Sequence, residues 1–308
     1  MATDSNTEQR YPDDYWDGKA GSLESSRILF HNDDYLEFLV TRVWRIDKPS
    51  RVVDFGCGYG RFGQMLMPFF PAGSTYTGFD QSPDLVARAR ELLGDRAEFF
   101  VASVHQAPFE DDSFDIAISQ AVLMHIPNPM VAIMEMIRVT RHGGMVITCD
   151  ANRNAHNALV YTEELDTQET MPLQMIQTVN REIRRKTGVD HNIGIKTPIL
   201  MHKAGLRNVQ ARISDSVRLI LPPVETEYDQ TVFRAICDEG YGPATPTDEE
   251  RAKWKAFLVK YGISDEDAEN EIERELGQGF RTKGREYHTA YPSLLSFSFG
   301  TVDKVKNG

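Results

Sequence analysis

The sequence predicts an α/β protein in which helices cover both faces of a parallel β-sheet. Between Arg51 and Asp150, short apolar runs that stop at glycine or aspartate alternate with stretches whose apolar residues recur at helical spacing. This alternation is typical of a sheet wrapped by crossover helices. The chain has 308 residues, 41% of them hydrophobic, so it can bury a sizeable core in one enlarged domain or two.

Five strands and three helices account for this central region. The strands are predicted at residues 51–55, 75–79, 98–102, 114–119 and 145–149, and the helices at 61–70, from Pro83 onward, and at 129–140. Pro83 lies in the first helical turn, where proline is tolerated because its missing N–H has no partner there anyway. The region 51–150 is therefore predicted to form one ligand-binding core.

The flanking segments predict additions to that core. Residues 1–50 combine a polar arm with helices that lead into the core, and the arm carries the aromatic residues Tyr11, Tyr15 and Trp16. Residues 151–196 predict a helical cap insertion, and residues 197–221 predict a core helix, ended by Gly205, and a sixth strand at 207–221. Residues 222–291 predict an acidic helical insertion, and residues 292–308 a closing strand and tail.

Charge and composition exclude several functions. The formal charge of −12, from 46 acidic and 34 basic residues, disfavours a broad cationic surface for nucleic acid or anionic lipid. No apolar stretch reaches the length of a membrane span, and the first residues lack a signal-peptide core, so we expect a cytoplasmic protein. Cys57, Cys149 and Cys237 lack metal-ligand spacing, so we expect reduced cysteines and no metal.

A glycine-rich turn follows the first predicted strand. Gly56, Gly58 and Gly60 lie between a strand and a helix, where glycines let a ligand approach the backbone and the helix N-terminus offers N–H donors. The dinucleotide fingerprint fits Gly58, Gly60 and Gly63, but Gly56 is out of its register. Asp54 at the turn would repel a pyrophosphate and attract a cationic amine or sulfonium. The turn therefore favours a cationic ligand and disfavours a nicotinamide oxidoreductase.

An acidic residue also ends the second predicted strand. Asp80 follows Gly56 by 24 residues, a position at which many sheets that bind adenosine place a carboxylate for the ribose hydroxyls. The alternative is that Asp80 only caps the helix that follows. Asp80 by itself predicts no more than an adenosine-containing ligand.

Five motifs together resemble the class I S-adenosylmethionine-dependent methyltransferases, in the order and spacing of that family. They are VVDFGCGYG at 52–60, GFDQS at 78–82, PFEDDSFD at 108–115, SQAVLMH at 119–125 and RVTRHGG at 138–144. The resemblance implies a Rossmann-like seven-stranded sheet with helices on both faces and a helical cap built from the insertions. It also implies S-adenosyl-L-methionine as cofactor and S-adenosyl-L-homocysteine as product.

The resemblance further assigns cofactor-binding residues by position. Asp54 and the backbone of the three turn glycines resemble the pocket for the methionine moiety, and Asp80 resembles the ribose-binding acid. The remaining positions are Gln81, Ser103 and Val104 around the adenine, Ser119 and Gln120 near the transferred methyl group, and Tyr15 on the N-terminal arm as part of a lid. The sequence departs from the family at 102–104, where ASV replaces the common acidic residue, so the Ser103 side chain or the Val104 backbone takes that place.

Methyl transfer from a sulfonium is an in-line displacement, so proximity and orientation supply most of the catalysis and no residue is obligatory. His125 is the candidate base; the alternative is a packing role. Asn152, Arg153 and His156 follow the fifth strand and are candidates for acceptor binding, with a loop of capping side chains as the alternative. The basic cluster formed by Arg181, Arg184, Arg185 and Lys186 predicts either contact with an acidic group or a solvated helix face.

These features predict a methyltransferase that acts on a small molecule, in particular a specialised metabolite, and has no nucleic acid or membrane partner. The alternatives are a regulatory protein that binds S-adenosylmethionine without turnover and a transferase that moves another group from the same cofactor. The closing strand carries Phe297 and Phe299. Either a second copy of the chain, in a homodimer, or the large insertion can cover this strand.

Overall fold

A computed structural model of the chain describes residues 28–163, 173–240, 246–278 and 284–304, and the structural statements below concern these residues. The predicted lid residues Tyr11, Tyr15 and Trp16 lie outside them.

Ten strands and ten α-helices make up the described part of the chain. The strands are β1 (Arg51–Phe55), β2 (Thr75–Asp80), β3 (Glu98–Val101), β4 (Phe114–Gln120), β5 (Thr140–Ala151), β6 (Tyr161–Thr162), β7 (Arg207–Ile213), β8 (Val217–Ile220), β9 (Thr289–Pro292) and β10 (Leu295–Thr301). The helices are α1 (Asp33–Phe38), α2 (Arg61–Leu66), α3 (Pro83–Leu93), α4 (Pro129–Val139), α5 (Arg153–Leu159), α6 (Leu173–Thr187), α7 (Thr197–Lys203), α8 (Glu227–Gly240), α9 (Asp248–Lys260) and α10 (Asp265–Gln278).

The main sheet has seven strands in the order β3-β2-β1-β4-β5-β10-β7. The first five strands in this order are parallel, and β10 runs antiparallel to both β5 and β7. Phe297 on β10 lies opposite Cys149 on β5 and Arg212 on β7. The predicted seven-stranded fold is confirmed, with the difference that the closing strand reverses direction. The chain enters β10 directly from β9, so no crossover helix brings it round to a parallel course.

The sixth predicted strand, at 207–221, was wrong as a single element. It is divided between β7, in the main sheet, and β8, which forms a second antiparallel sheet with β6 and β9. The Ser214 N–H donates to the Leu295 carbonyl over 2.8 Å, and the Ser293 N–H donates to the Ser216 carbonyl over 2.8 Å. These bonds hold residues 214–216, where the chain leaves the main sheet and enters the small one. The alternation of apolar residues continues through this point and therefore does not predict the change of sheet.

Helices cover both faces of the main sheet because successive strand residues point to opposite faces. On one face Ile118 and Phe297 pack in a buried cluster with residues of α1, α2 and α3, such as Leu36. On the other face Val53 and Phe55 pack with residues of α4 and α7. The carboxyl ends of β1, β2, β4 and β5 therefore meet at one edge of a sheet that is buried on both sides.

The insertions form two further apolar clusters. The small sheet and α8 pack around Ile220, Phe233 and Tyr291, and Leu29 joins this cluster from the segment before α1. The helices α6, α9 and α10 pack around residues such as Ile183 and Leu258. No helix among the described residues combines the length and the apolar character that a membrane crossing requires.

Candidate functional site

The glycine turn between β1 and α2 is built from left-handed backbone. The φ angles of Gly56, Gly58 and Gly60 are +67°, +55° and +83°, a region that side chains disfavour. A Cβ on Gly56 would lie 2.6 Å from Val122 Cγ2, so glycine lets the turn pack against the segment that follows β4. A Cβ on Gly58 would meet nothing within 4 Å. The backbone at Gly58 therefore borders open space.

Asp54 lies at the end of β1 and is 1% exposed. Its Oδ2 accepts a hydrogen bond of 2.5 Å from the Tyr76 hydroxyl on β2. Burial, and next the negative charge of Asp54, raise the pKa of Tyr76 well above its ordinary value, so this hydroxyl stays a donor. A Cβ on Gly63 would lie 2.2 Å from the Tyr76 ring, so Gly63 is required for this packing behind the turn.

Asp80 joins the end of β2 to the glycine turn. Its Oδ2 accepts from the Gly58 N–H and its Oδ1 from the Ser82 N–H, each over 3.0 Å. The helix α3 is capped by Ser82 instead, whose Oγ accepts from the Leu85 N–H over 3.3 Å. Asp80 thus faces the glycine turn.

The other candidate cofactor positions surround the same edge of the sheet. Gln81 and Ser103 are exposed after β2 and β3, and Val104 is half-buried. Ser103 Oγ accepts from the His105 N–H over 3.3 Å. Ser119 and Gln120 are buried at the end of β4. The ends of β1, β2, β3 and β4 therefore bring together all of the candidate cofactor residues that the structure describes.

His125 ends a short 3₁₀ turn, Leu123–His125, directly after β4. Its ring is half-buried and lies edge-on to the ring of His191, with 6.3 Å between the ring centroids. Its backbone N–H donates to the Val122 carbonyl over 2.9 Å. The candidate base is thus held at the sheet edge beside the segment that contacts Gly56.

Two further candidate residues lie beside this edge of the sheet and were not singled out in the sequence. Asp150, at the end of β5, is fully buried and accepts from the Met124 N–H over 3.3 Å, one residue before His125. Burial raises the pKa of Asp150 from 3.8 to about 7. His31, ahead of α1, places its Nε2 against the Gln120 side-chain nitrogen and stacks on Phe62. Asp150 had a sequence signal, since it ends a strand as Asp80 does, whereas His31 is 89 residues from Gln120 and had none.

The three candidate acceptor residues have structural partners instead. Asn152 donates from Nδ2 to Ser296 Oγ over 2.8 Å and accepts at Oδ1 from the Ile195 N–H over 2.7 Å. Arg153 forms an ion pair of 2.9 Å with Glu239 on α8.

His156 is buried, and its ring packs edge-on against Tyr291 with 4.7 Å between centroids. Burial lowers the pKa of His156 to about 3, so the ring is neutral at physiological pH. Together with Asn152 and Arg153, His156 ties the segment after β5 to β10, α8 and the small sheet.

The raised pKa of Asp150 predicts that stability falls as pH rises. In the folded protein the carboxyl keeps its proton up to about pH 7, whereas in the unfolded chain it ionises near pH 3.8. Between these values the folded state binds one more proton, so Asp150 lowers the free energy of unfolding by at most about 1.4 kcal/mol for each pH unit gained. Asp150→Asn keeps an acceptor for the Met124 N–H and should remove this slope. Urea unfolding across that pH range measures it.

Glu275→Gln is a comparison variant, because burial also raises the pKa of Glu275, on α10, to about 7. The two variants should each remove a separate part of the slope. An unchanged slope in Asp150→Asn would show that the carboxyl is ionised in the folded protein at acidic pH.

The known proteins that this chain resembles are methyltransferases. Residues 53–148 match a family model described as a methyltransferase domain. A segment of 131 residues, 39% of the chain, is 30% identical to an uncharacterized methyltransferase of Schizosaccharomyces pombe and covers 46% of it. A segment of 116 residues, 35% of the chain, is 34% identical to the chloroplastic tocopherol O-methyltransferase of Arabidopsis thaliana and covers 33% of it. The chain thus spans less than half the length of the curated relatives it matches.

The structure of phosphoethanolamine N-methyltransferase 2 of Haemonchus contortus superposes with a TM-score of 0.50 at 14% identity, and the match covers 95% of this chain and 60% of that one. This likeness concerns the fold. Residues 53–148 thus match a methyltransferase domain. This match supports the predicted S-adenosylmethionine-dependent family and its cofactor, and the predicted seven-stranded fold is confirmed.

The residues at the sheet edge fit this cofactor. The open space at Gly58 admits a ligand close to the backbone, and the acidic side chains of Asp54 and Asp80 suit a ligand that carries a positive sulfonium and ribose hydroxyls. When bound, S-adenosylmethionine supplies an electrophilic methyl group on sulfur.

Proposed function

We propose that this chain is an S-adenosylmethionine-dependent methyltransferase that transfers a methyl group to a small-molecule acceptor. The observation that carries the proposal is the bond between Asp80 and the Gly58 N–H, which joins the ribose-type acid of β2 to the glycine turn of β1. The open space at Gly58, beside this acid, supports the approach of a ligand to the backbone of the turn.

The proposal assigns each residue a contact with the cofactor. Asp54 and the turn glycines would surround the methionine moiety, and Asp80 would accept from the ribose hydroxyls. Gln81, Ser103 and Val104 would border the adenine. Ser119 and Gln120 would lie beside the transferred methyl, and Tyr15 would close over the site from the N-terminal arm.

The catalytic contribution of the chain would be orientation and exclusion of water. Ser119, Gln120 and His31 are buried at this edge, so an acceptor that reaches them leaves bulk water. An acceptor hydroxyl or ammonium must also lose a proton. We propose His125 as the residue that takes it, and the Asp150 carboxyl, whose pKa is about 7, is a second group near this turn that can exchange a proton at neutral pH.

Charge and architecture support a small acceptor, and a specialised metabolite in particular. The net charge of −12 disfavours a polyanionic acceptor such as nucleic acid. The helices α5, α6, α8, α9 and α10 and the small sheet lie between strands of the core in sequence, which gives the chain a dedicated set of elements for shaping an acceptor site. The ion pair between Arg153 and Glu239 fixes one of these insertions to the edge that carries the proposed site.

Calorimetric titration with S-adenosylmethionine, S-adenosylhomocysteine and NAD in parallel tests the cofactor assignment. We expect about micromolar binding of both adenosyl ligands and none of NAD. Binding of NAD, or of no ligand, would overturn the proposal.

An acceptor screen that measures release of S-adenosylhomocysteine then tests turnover. A product heavier by one methyl group supports methyl transfer, and a different mass increment supports transfer of another group from the same cofactor. Cofactor binding without turnover on any acceptor would favour the regulatory alternative.

A further inference from the structure

A cavity of about 580 Å³ lies between α5, α6, the segment that leads into α7, and the edge strand β7. This volume is within the usual range of small-molecule sites. Its walls include Asn154 and Asn180 on the facing sides of α5 and α6, and Ile213 at the end of β7. None of the candidate cofactor residues lines it.

Asn152, one of the candidate acceptor residues, also lines the cavity, which lies on the side of α5 opposite His156. Asn154 borders the cavity, whereas His156, two residues later and on the opposite side of the helix, packs on Tyr291. Asn154 and Asn180 are linked by a bond of 2.7 Å from Asn180 Nδ2 to Asn154 Oδ1, which closes the cavity on the α5 side. The space is therefore separate from the packing between α5 and the small sheet.

Positive charge is in excess along its described walls. Arg181, Arg184 and Lys196 line the cavity together with a single acid, Asp190. Asp190 is shared between Arg184, at 3.3 Å, and Lys196, at 2.5 Å. One carboxylate thus compensates two cations, and the nearest acid to Arg181 is Glu182, at 3.9 Å. An anion in the cavity would balance the remaining charge.

Amide donors add to this surface. The Asn192 Oδ1 accepts from the Asn154 N–H over 2.8 Å, and the Asn154 Oδ1 accepts from Asn180. Both carbonyl oxygens already accept a hydrogen bond, so the side-chain NH₂ groups are the donors that Asn154 and Asn192 contribute to the lining of the cavity. Ile195, Ile213 and Leu294 supply an apolar wall beside these polar groups.

We propose that this cavity binds a small amphiphilic anion, a carboxylate or phosphate attached to an apolar group. The cationic side chains of Arg184 and Lys196 pair with the anionic group, the asparagine amides donate to its oxygens, and the isoleucine and leucine side chains contact the apolar part. The site gives a ligand-binding role to part of the basic cluster on α6. The remaining members, Arg185 and Lys186, are held elsewhere, by Glu182 and by the Lys260 carbonyl.

Calorimetric titration with octyl phosphate and with octanoate tests the site, with octanol as the uncharged probe and inorganic phosphate as the probe without an apolar part. We expect at least one amphiphilic anion to bind, and each partial probe to bind at least about tenfold more weakly. Arg184→Gln should weaken binding by about fivefold or more, because it removes one of the two cations that offset Asp190.

Arg185→Gln is the matched control, since it removes the same charge from the neighbouring position and should change affinity less than twofold. Melting temperatures of both variants verify that they fold. If neither anion binds, or if the two variants bind equally well, the proposal is wrong. Loss of probe binding in saturating S-adenosylhomocysteine would also overturn it, because the probe would then occupy the cofactor site. The test does not require any turnover by the enzyme.

Discussion

Phe297→Ala should lower the free energy of unfolding by about 3–5 kcal/mol, the largest effect we expect from a single core substitution. Phe297 lies on β10 in the interior of the main sheet and is 0% exposed. Its ring lies 6.1 Å from that of Trp44 and 6.2 Å from that of Tyr35, centroid to centroid. Alanine would remove these contacts and leave a cavity that the surrounding rings cannot fill. Urea unfolding measures the change.

Phe100→Ala is the matched control for this prediction. Phe100 lies on the outer strand β3, is 40% exposed and has one close ring partner, Phe109. Because much of its surface is already in water, the same substitution should cost about 1 kcal/mol. Equal losses in the two variants would mean that β10 is not an interior strand.

Asp80→Ala should weaken binding of S-adenosylhomocysteine by about 1–3 kcal/mol, or roughly 5- to 150-fold. The substitution removes the proposed acceptors for the ribose hydroxyls and also the acceptor that holds the Gly58 N–H in the turn. Calorimetry measures the affinity, and a melting curve without ligand separates this effect from a loss of folding.

Asp84→Ala is the control for charge. Asp84 is exposed in the first turn of α3, four residues after Asp80, and has the same side chain and charge as Asp80. Its removal should change affinity by less than about twofold, since an exposed charge outside the site is screened by solvent. Unchanged affinity in Asp80→Ala would remove Asp80 from the proposed site.

The strands and turns of the core could be predicted because their signals are local. The apolar run at 51–55 and the glycines at 56–60 act within a few residues, so β1 and its turn follow from the sequence. Asp80 could be predicted for the same reason, because it ends a strand. The sequence did not predict that Ser82 caps α3, because aspartate and serine are both favourable helix caps. The hydrogen bonds of the structure distinguish them, since the Leu85 N–H donates to Ser82 and not to Asp80.

The rest depends on contacts between distant segments. Apolar alternation continues through 207–221, but the hydrogen bonds of Ser214 and Ser216 with residues beyond 290 determine where the chain changes sheets. Likewise, Asn152 and His156 have the chemistry of binding residues, yet partners such as Ser296 and Tyr291 hold them in the structure. A polar residue shows its chemistry in the sequence, whereas its partner is set by the fold.

The position of β10 between β5 and β7 has a consequence for synthesis on the ribosome. The strands β5 and β7 emerge long before their shared neighbour, since Leu295 and Ser214, which are hydrogen bonded across this boundary, are 81 residues apart. During that interval each presents an unpaired edge to the cell, the kind of surface that recruits chaperones or pairs with other nascent chains. The last strand of the sheet to be translated therefore determines when the nascent chain stops being prone to aggregate.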